Sequence, residues 1–114
     1  SNVIYTELNG YKFMFMGDAG VDKEKDILEK YSLENIDFFK VGHHGSNTSS
    51  SIEFVSKINP KYSLISVGKD NKYGHPKSSV LDNLSSSNIY RTDLDGSIEI
   101  KLNKNGYNIR TYNP

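Results

Sequence analysis

Three short apolar runs, separated by stretches with helical spacing, constrain the fold of this chain more than any other feature. They are residues 11–16 (YKFMFM), 36–41 (IDFFKV) and 62–67 (YSLISV). The first and third have the composition of strands that are buried on both faces. The second is predicted to have one partly polar face, because it contains Asp37 and Lys40. Such strands alternating with helices predict an α/β domain.

Three segments have the spacing of amphipathic helices. They cover residues 22–31, 49–58 and 77–84, where apolar side chains recur every three or four positions. Asp22 can cap the first helix. The cluster of serine and threonine residues at the start of the second helix can cap that helix. Glu24 falls on the apolar side of the first helix. Each predicted helix therefore has one side that can cover a sheet.

The remaining strands are placed by turn residues. They are predicted at residues 3–8, 89–91, 97–102 and 107–112. Asn9-Gly10 and Asn105-Gly106 are strong hairpin signals, because both residue types tolerate positive φ. The predicted order is β-β-α-β-α-β-α-β-β-β, and the closing hairpin is expected to form an antiparallel edge.

Composition bounds the size of the domain and the class of partner. A length of 114 residues fits one small domain, and a hydrophobic content of 35% is low for a globular chain. The 14 basic residues balance the 14 acidic ones, so no overall positive field exists to hold nucleic acid. The absence of cysteine excludes disulfides and thiolate metal sites. No apolar run approaches the ~20 residues of a membrane helix, so we expect a soluble domain, whose parent protein can still be membrane-associated.

Polar residues of the type found in metal and acid–base sites follow each of the three apolar runs. Asp18 follows the first, His43 and His44 follow the second, and His75 follows the third. In open α/β sheets ligands bind at the carboxyl ends of the strands. We therefore expect these four side chains to converge on one edge of the sheet.

Plainer interpretations of the same residues stay open. Asp18 can be a turn aspartate or an extra cap for the helix that follows it. His75 can be a solvated loop histidine. Ser46 and Ser49 can simply cap a helix rather than donate to phosphate oxygens. The histidine pair is harder to explain in this way, because neighbouring side chains of an extended segment point in opposite directions.

Residues 13–95 resemble the C-terminal half of a metallo-β-lactamase-fold domain of the ComEC type, known from bacterial competence proteins for DNA uptake. The motifs that carry the resemblance are Met16-Gly17-Asp18-Ala19, Lys40-Val41-Gly42-His43-His44-Gly45-Ser46 with Ser49-Ser50, Ser66-Val67-Gly68, Asn71-Lys72-Tyr73-Gly74-His75-Pro76, and Tyr90-Arg91-Thr92-Asp93 with Asp95-Gly96. The resemblance implies half of a four-layer αββα sandwich, a mixed sheet with helices packed on it.

The resemblance also implies metal ligands. The Gly-Asp aspartate of the superfamily bridges two metal ions, usually zinc, and this role falls on Asp18. A later histidine completes the second site, and this role falls on the His43-His44 pair. We expect His44 to ligate metal with His43 beside it as a catalytic residue, although the sequence does not decide between them.

Substrate-binding residues follow from the same resemblance. His75 is expected at the edge of the site, where it contacts a phosphate or acts as an acid. Ser46 and Ser49 are expected to donate hydrogen bonds to phosphate oxygens, assisted by the N-terminus of the next helix.

The principal ligand motif of the superfamily, His-x-His-x-Asp-His, does not occur in this chain, which has 3 histidines in total. We therefore expect residues 1–114 to be the C-terminal part of a larger domain, inactive and weak in metal binding by itself. The complete domain is expected to hold two zinc ions, with manganese as an alternative. The missing N-terminal half, or a homodimer through an exposed sheet face, is expected to cover Met14, Met16, Phe38 and Phe39.

The leading functional hypothesis is a two-metal phosphodiesterase that acts on DNA. A different hydrolase of the same fold, acting on a small-molecule or cell-wall ester or phosphodiester, is the alternative enzyme. A binding module without catalysis is the alternative outside enzymes.

Overall fold

A computed structural model describes residues 3–42, 50–67 and 76–112. The strands within these ranges are β1 (Ile4–Leu8), β2 (Tyr11–Phe15), β3 (Phe38–Lys40), β4 (Tyr62–Ile65), β5 (Asn88–Arg91), β6 (Ser97–Asn103) and β7 (Gly106–Tyr112). The helices are α1 (Val21–Lys30), α2 (Ile52–Ile58), α3 (Ser78–Asn83) and α4 (Thr92–Asp95). The predicted order is confirmed, with α4 as a single additional turn of helix.

The main sheet has five strands in the order β1-β2-β3-β4-β5. The strands β2 to β5 run parallel, and β1 pairs antiparallel with β2. The β1–β2 turn uses Asn9 and Gly10 at φ 52° and 84°, which is the left-handed geometry that this dipeptide favours. The predicted α/β class with a mixed sheet is therefore confirmed.

The closing hairpin does not extend the main sheet, so the prediction of an antiparallel edge there is wrong. Strands β6 and β7 pair with each other in a separate two-stranded sheet. The hairpin instead lies against the face of the main sheet, where the Tyr107 ring packs edge-on against Phe38 and Tyr62 at centroid distances of 5.2 and 5.7 Å. Period-two alternation predicts that one side of a hairpin is buried, but it does not identify the surface that buries it.

One face of the main sheet carries the hydrophobic core together with the helices. The sheet contributes Met14, Met16, Phe39, Val41 and Ile65 to this cluster. The helices and the residues adjoining them contribute Ile27, Phe54, Val55, Ile58, Val80 and Leu84. Hydrophobic burial of this cluster is the main stabilising contribution to the fold.

The opposite face carries an aromatic cluster. Phe38 stacks on Phe13 at 4.7 Å and on Tyr62 at 5.4 Å between ring centroids. Tyr11 and Tyr107 close the cluster from the side with edge-on contacts. Offset and edge-on ring pairs stabilise such a cluster beyond the area that they bury.

The four side chains expected to need cover from outside are buried by the chain itself. Met14, Met16, Phe38 and Phe39 are each at most 2% exposed. Helices cover Met14, Met16 and Phe39, and the β6–β7 hairpin covers Phe38. The expectation that these residues lie on an exposed face is therefore wrong.

An exposed apolar strip does occur on the aromatic face, nearer the antiparallel edge. Ile4 pairs with Phe15 in the β1–β2 register, so both side chains lie on the face of Phe13 and Phe38. Ile4 is 53% exposed and Phe15 is 39% exposed, and Leu8 on the same face is also exposed. The β6–β7 hairpin covers only part of this face.

The capping of α1 differs from the sequence prediction, and the capping of α2 agrees with it. Gly20 precedes α1 without a side-chain capping bond, and Asp22 lies inside the first turn, so Asp22 is not the cap. Ser51 caps α2 by accepting a hydrogen bond from the backbone N–H of Phe54, which confirms a cap from the serine cluster. Ile52, the first residue of α2, is 58% exposed, so it does not share the buried side of this helix.

Candidate functional site at the carboxyl edge of the sheet

The carboxyl ends of β2, β3 and β4 lie side by side. Neighbouring parallel pairing places Phe15 beside Lys40, and Lys40 beside Leu64. Asp18 follows the end of β2, and Gly42 follows the end of β3. The backbone arrangement predicted from the sequence is therefore present along this edge.

Most of the predicted site residues lie outside the described residues. They are His43, His44, Ser46, Ser49 and His75. Their convergence with Asp18 therefore stays a prediction.

Asp18 stands on a tight turn that is anchored by its neighbours. The backbone N–H of Ala19 donates to the carbonyl oxygen of Met16 at 3.0 Å, and Gly17 has a φ of 60°. Met16 and Ala19 are buried, whereas Asp18 is exposed. The Asp18 carboxylate has no hydrogen-bond or ion-pair partner among the described residues. It does not cap α1 either, because that helix begins without a side-chain cap.

Gly42 allows the chain leaving β3 to lie directly against this turn. A Cβ atom on Gly42 would lie 3.0 Å from the carbonyl oxygen of Ala19 and 3.2 Å from the Cβ of Met16. Both distances are shorter than ordinary van der Waals contacts. A side chain at this position would force its neighbours to shift, so glycine favours this close approach of the residue before His43 to the Asp18 turn.

Glu24 is a functional candidate that sequence reasoning missed. It lies on α1, is 1% exposed, and accepts hydrogen bonds from the backbone N–H groups of Ser50 and Ser51, the latter at 3.0 Å. Burial raises the pKa of Glu24, and the hydrogen bonds from Ser51 and Ser50 oppose that shift. Its position on the apolar side of the predicted helix was the available signal, since a carboxylate there needs a buried partner.

The other end of the edge is held by the residues after β5. The hydroxyl of Thr92 donates to the carbonyl oxygen of Val67 at 2.8 Å and accepts from the Val67 N–H at 2.7 Å. Arg91 makes a bidentate pair with Asp93 at 3.0 and 2.7 Å, and this pairing lowers the pKa of Asp93. Thr92 therefore anchors the chain that leaves β4.

A cavity of about 450 Å³ opens between β1, β2 and α1. Among the described residues its lining includes Tyr5, Met14, Lys23 and Ile27, and Asp18 does not line it.

No family model matches the chain. Similarity to whole proteins is clear, however. ComE operon protein 3 of Bacillus subtilis is 34% identical over 116 aligned residues, which cover 100% of this chain and 15% of that protein. Competence protein ComA of Neisseria gonorrhoeae is 34% identical over 93% of this chain and 16% of its own length. Recombination protein 2 of Haemophilus influenzae is 31% identical over 90% of this chain and 13% of its own length.

The chain matches a ComEC-type competence domain. The resemblance to competence proteins that was inferred from the sequence motifs is thereby confirmed, and the relatives are bacterial proteins. The chain spans about one seventh of the length of the first relative, as its 15% coverage shows. In the described part of this chain, no helix is both long and apolar enough to cross a bilayer.

Proposed function

We propose that this chain is the C-terminal part of a metallo-β-lactamase-fold hydrolase domain that cleaves DNA phosphodiester bonds during DNA uptake. The observation that carries the proposal is the contact between Gly42 and the Asp18 turn. Gly42 directly precedes His43 in the chain, and the Asp18 turn carries the one candidate metal ligand among the described residues. The names of the similar proteins, which refer to competence and recombination, support DNA as the substrate.

Asp18 would be one of the residues that hold metal in this proposal. It is an exposed carboxylate at the carboxyl edge, and its two oxygens have no partner among the described residues. In this proposal Asp18 and His44 hold metal, and His43 stands beside them. A two-metal centre supplies an activated water and stabilises the leaving oxygen of a phosphodiester. Zinc suits carboxylate and imidazole ligands, and manganese is the alternative.

The remaining site residues act on the substrate in this proposal. His75 contacts a phosphate or donates a proton to the leaving oxygen, and Ser46 and Ser49 donate hydrogen bonds to phosphate oxygens. The two hydrogen bonds between Thr92 and Val67 support this role, because Val67 is the last described residue before the segment that carries His75. The neutral net charge means that DNA has to be held locally, through such contacts, rather than by a basic surface.

The rest of the domain is expected to pack on the aromatic face of the main sheet. Ile4, Leu8 and Phe15 are exposed there. Lys40 lies on the same face, half-buried, and burial lowers its pKa. In an αββα sandwich this face meets the second sheet, which also carries the missing metal ligands, so the chain alone is inactive in this proposal.

The test compares this chain with a longer polypeptide that includes the preceding segment of its gene. With zinc or manganese present, the longer polypeptide is expected to cleave DNA, and residues 1–114 alone are not. Asp18→Asn in the longer polypeptide is expected to lower the cleavage rate by at least about 100-fold, since even outer partners of metal ligands typically contribute about 10- to 100-fold. Asp22→Asn is the matched control, because Asp22 is an exposed carboxylate four positions away.

Two outcomes would overturn the proposal. One is tight zinc binding with hydrolysis by residues 1–114 alone, which would show that no second half is required. The other is full cleavage activity of the Asp18→Asn variant.

The balanced charge favours one alternative, a hydrolase of small phosphodiesters or cell-wall esters. Cleavage of a small chromogenic phosphodiester, without cleavage of DNA, would support that alternative. Binding without cleavage of either substrate would support a non-catalytic module.

A further inference from the structure

The segment containing the site histidines rejoins the described fold at Ser50, and this residue is held from two sides. Its backbone N–H donates to the carboxylate of Glu24 on α1. Its carbonyl oxygen accepts a hydrogen bond from the side-chain amide of Asn83 on α3 at 3.0 Å. Ser50 is buried and has a φ of 54°, a left-handed geometry that non-glycine residues rarely adopt. The surrounding contacts therefore determine the backbone at this point.

Burying a carboxylate between α1 and α2 is energetically unfavourable unless it is hydrogen-bonded. Glu24 is as buried as the aliphatic core residue Val41. An aliphatic residue would pack there without the desolvation cost of an ionisable group. Only an acceptor-rich side chain satisfies the two adjacent N–H groups of Ser50 and Ser51, which precede the first turn of α2. The role of Glu24 is therefore to hold the backbone rather than to fill volume.

At the opposite end of the same segment, a close backbone contact holds Gly42. Gly42 lies against the Asp18 turn, where a Cβ atom would lie only 3.0 Å from the carbonyl oxygen of Ala19. Seven residues, 43–49, connect Gly42 to Ser50. Both attachment points of the histidine segment are thus specified by the residues that follow β2: the Asp18 turn specifies one and Glu24 specifies the other.

We propose that Glu24 is a positioning residue that fixes Ser50, the point at which residues 43–49 rejoin the described fold, and thereby supports metal binding by the complete site. This inference rests on the proposed function only for its consequence in metal binding. The attachment itself is a property of the described chain.

The first experiment measures hydrogen exchange at the backbone amides of Ser50 and Ser51 in residues 1–114. Glu24→Ala is expected to speed their exchange by about tenfold or more, because hydrogen bonds to a charged acceptor are among the stronger ones. Glu24→Gln, which keeps the shape but offers one acceptor oxygen, is expected to give a smaller increase. Glu29→Ala, on the same helix but exposed, is the matched control.

The second experiment measures zinc affinity and DNA cleavage of the longer polypeptide with the same variants. Glu24→Ala is expected to weaken zinc binding by about 10- to 100-fold, the range found for residues that orient metal ligands. Asn83→Ala, which loosens Ser50 from the other side, is expected to change zinc affinity in the same direction. Glu24→Gln is expected to weaken zinc binding less than Glu24→Ala does. The Glu29→Ala control is expected to leave the zinc affinity unchanged.

The outcomes separate the two proposals. Unchanged exchange at Ser50 and Ser51 in both Glu24 variants would overturn the attachment. Faster exchange with unchanged zinc affinity would overturn the positioning role. If the wild-type longer polypeptide binds no zinc, the proposed function fails, and the exchange experiment alone still decides the attachment. If Glu24→Ala does not fold, Glu24→Gln and Asn83→Ala provide the same comparison.

Discussion

The carbonyl oxygen of Ala19 lies 3.0 Å from the position that a Cβ atom of Gly42 would occupy. Ala19 belongs to the Asp18 turn after β2, and Gly42 directly precedes the histidine pair after β3. This contact joins two motifs that are 23 residues apart by subtraction of their numbers. Among the described residues, this contact is the direct link between the Asp18 turn and the chain that leads to His43.

Gly42→Ala is expected to destabilise the chain by about 1–3 kcal/mol, the usual cost of forcing extra volume into a packed position. The neighbouring carbonyl cannot easily withdraw, because the Ala19 N–H is already bonded to Met16 within the same turn. Urea unfolding at neutral pH measures the change. Ser56→Ala, at an exposed position of α2, is the control and is expected to change stability by less than about 0.5 kcal/mol. Equal stability of Gly42→Ala and wild type would show that the turn can move aside.

Stability is expected to depend on pH through Glu24. Its pKa in the folded chain is raised above the reference value of 4.5, so the folded state binds this proton more tightly than the unfolded state does. The contribution of Glu24 to the free energy of unfolding is therefore complete below pH 4.5 and is lost as pH rises through the folded pKa. Glu24→Gln removes this titration, so wild-type stability should decline relative to the variant across that window. Parallel curves in urea unfolding experiments would contradict the expectation.

Lys40 is expected to show the opposite dependence. Burial lowers its pKa below the reference value of 10.5, so its contribution to stability is present above pH 10.5 and is lost as pH falls through the folded pKa. Lys40→Met is accordingly expected to raise the free energy of unfolding at neutral pH, with the difference shrinking in alkaline solution. Lys101→Met, at an exposed position of β6, is the control. A destabilised Lys40→Met variant would indicate a favourable charged contact for Lys40.

Tyr107 tests how the β6–β7 hairpin is attached to the main sheet. Its hydroxyl donates to the hydroxyl of Tyr62 at 2.8 Å, and its ring packs against Tyr11 and Phe38. Tyr107→Phe removes only the hydrogen bond and is expected to cost about 1 kcal/mol. Tyr107→Ala also removes the ring contacts and is expected to cost up to about 3 kcal/mol. Thermal unfolding measures both, and a similar cost for the two variants would mean that the ring contacts contribute little.

Local sequence signals predicted the elements well because each depends on a few neighbouring residues. Asn9-Gly10 predicted the first hairpin, since positive φ is a property of those residue types. The serine cluster predicted the cap of α2, although the capping residue is Ser51 and the helix starts at Ile52. The Asp22 cap failed because a cap depends on where the helix begins, and α1 begins one residue earlier, at Val21.

The sheet edge that carries the candidate site was predicted, whereas the convergence of its side chains stays a prediction. The motif order placed Asp18 after one strand and the histidine pair after the next, and the parallel pairing of β2 with β3 brings those strand ends together. Glu24 was missed because its partners, the N–H groups of Ser50 and Ser51, are 26 and 27 positions away. No local pattern identifies which backbone groups a buried carboxylate will meet.

The alternation of strands and helices, the turns, and the motifs that point to a ComEC-type domain could all be read from the residues, because they depend on neighbouring side chains and backbone preferences. Which surfaces meet could be seen only in the folded chain. Folding placed the closing hairpin on the aromatic face, buried Phe38 beneath Tyr107, and set Gly42 against Ala19. Those contacts join residues far apart in the chain, and their free energy depends on shape and burial, which become defined only when the whole sheet has formed.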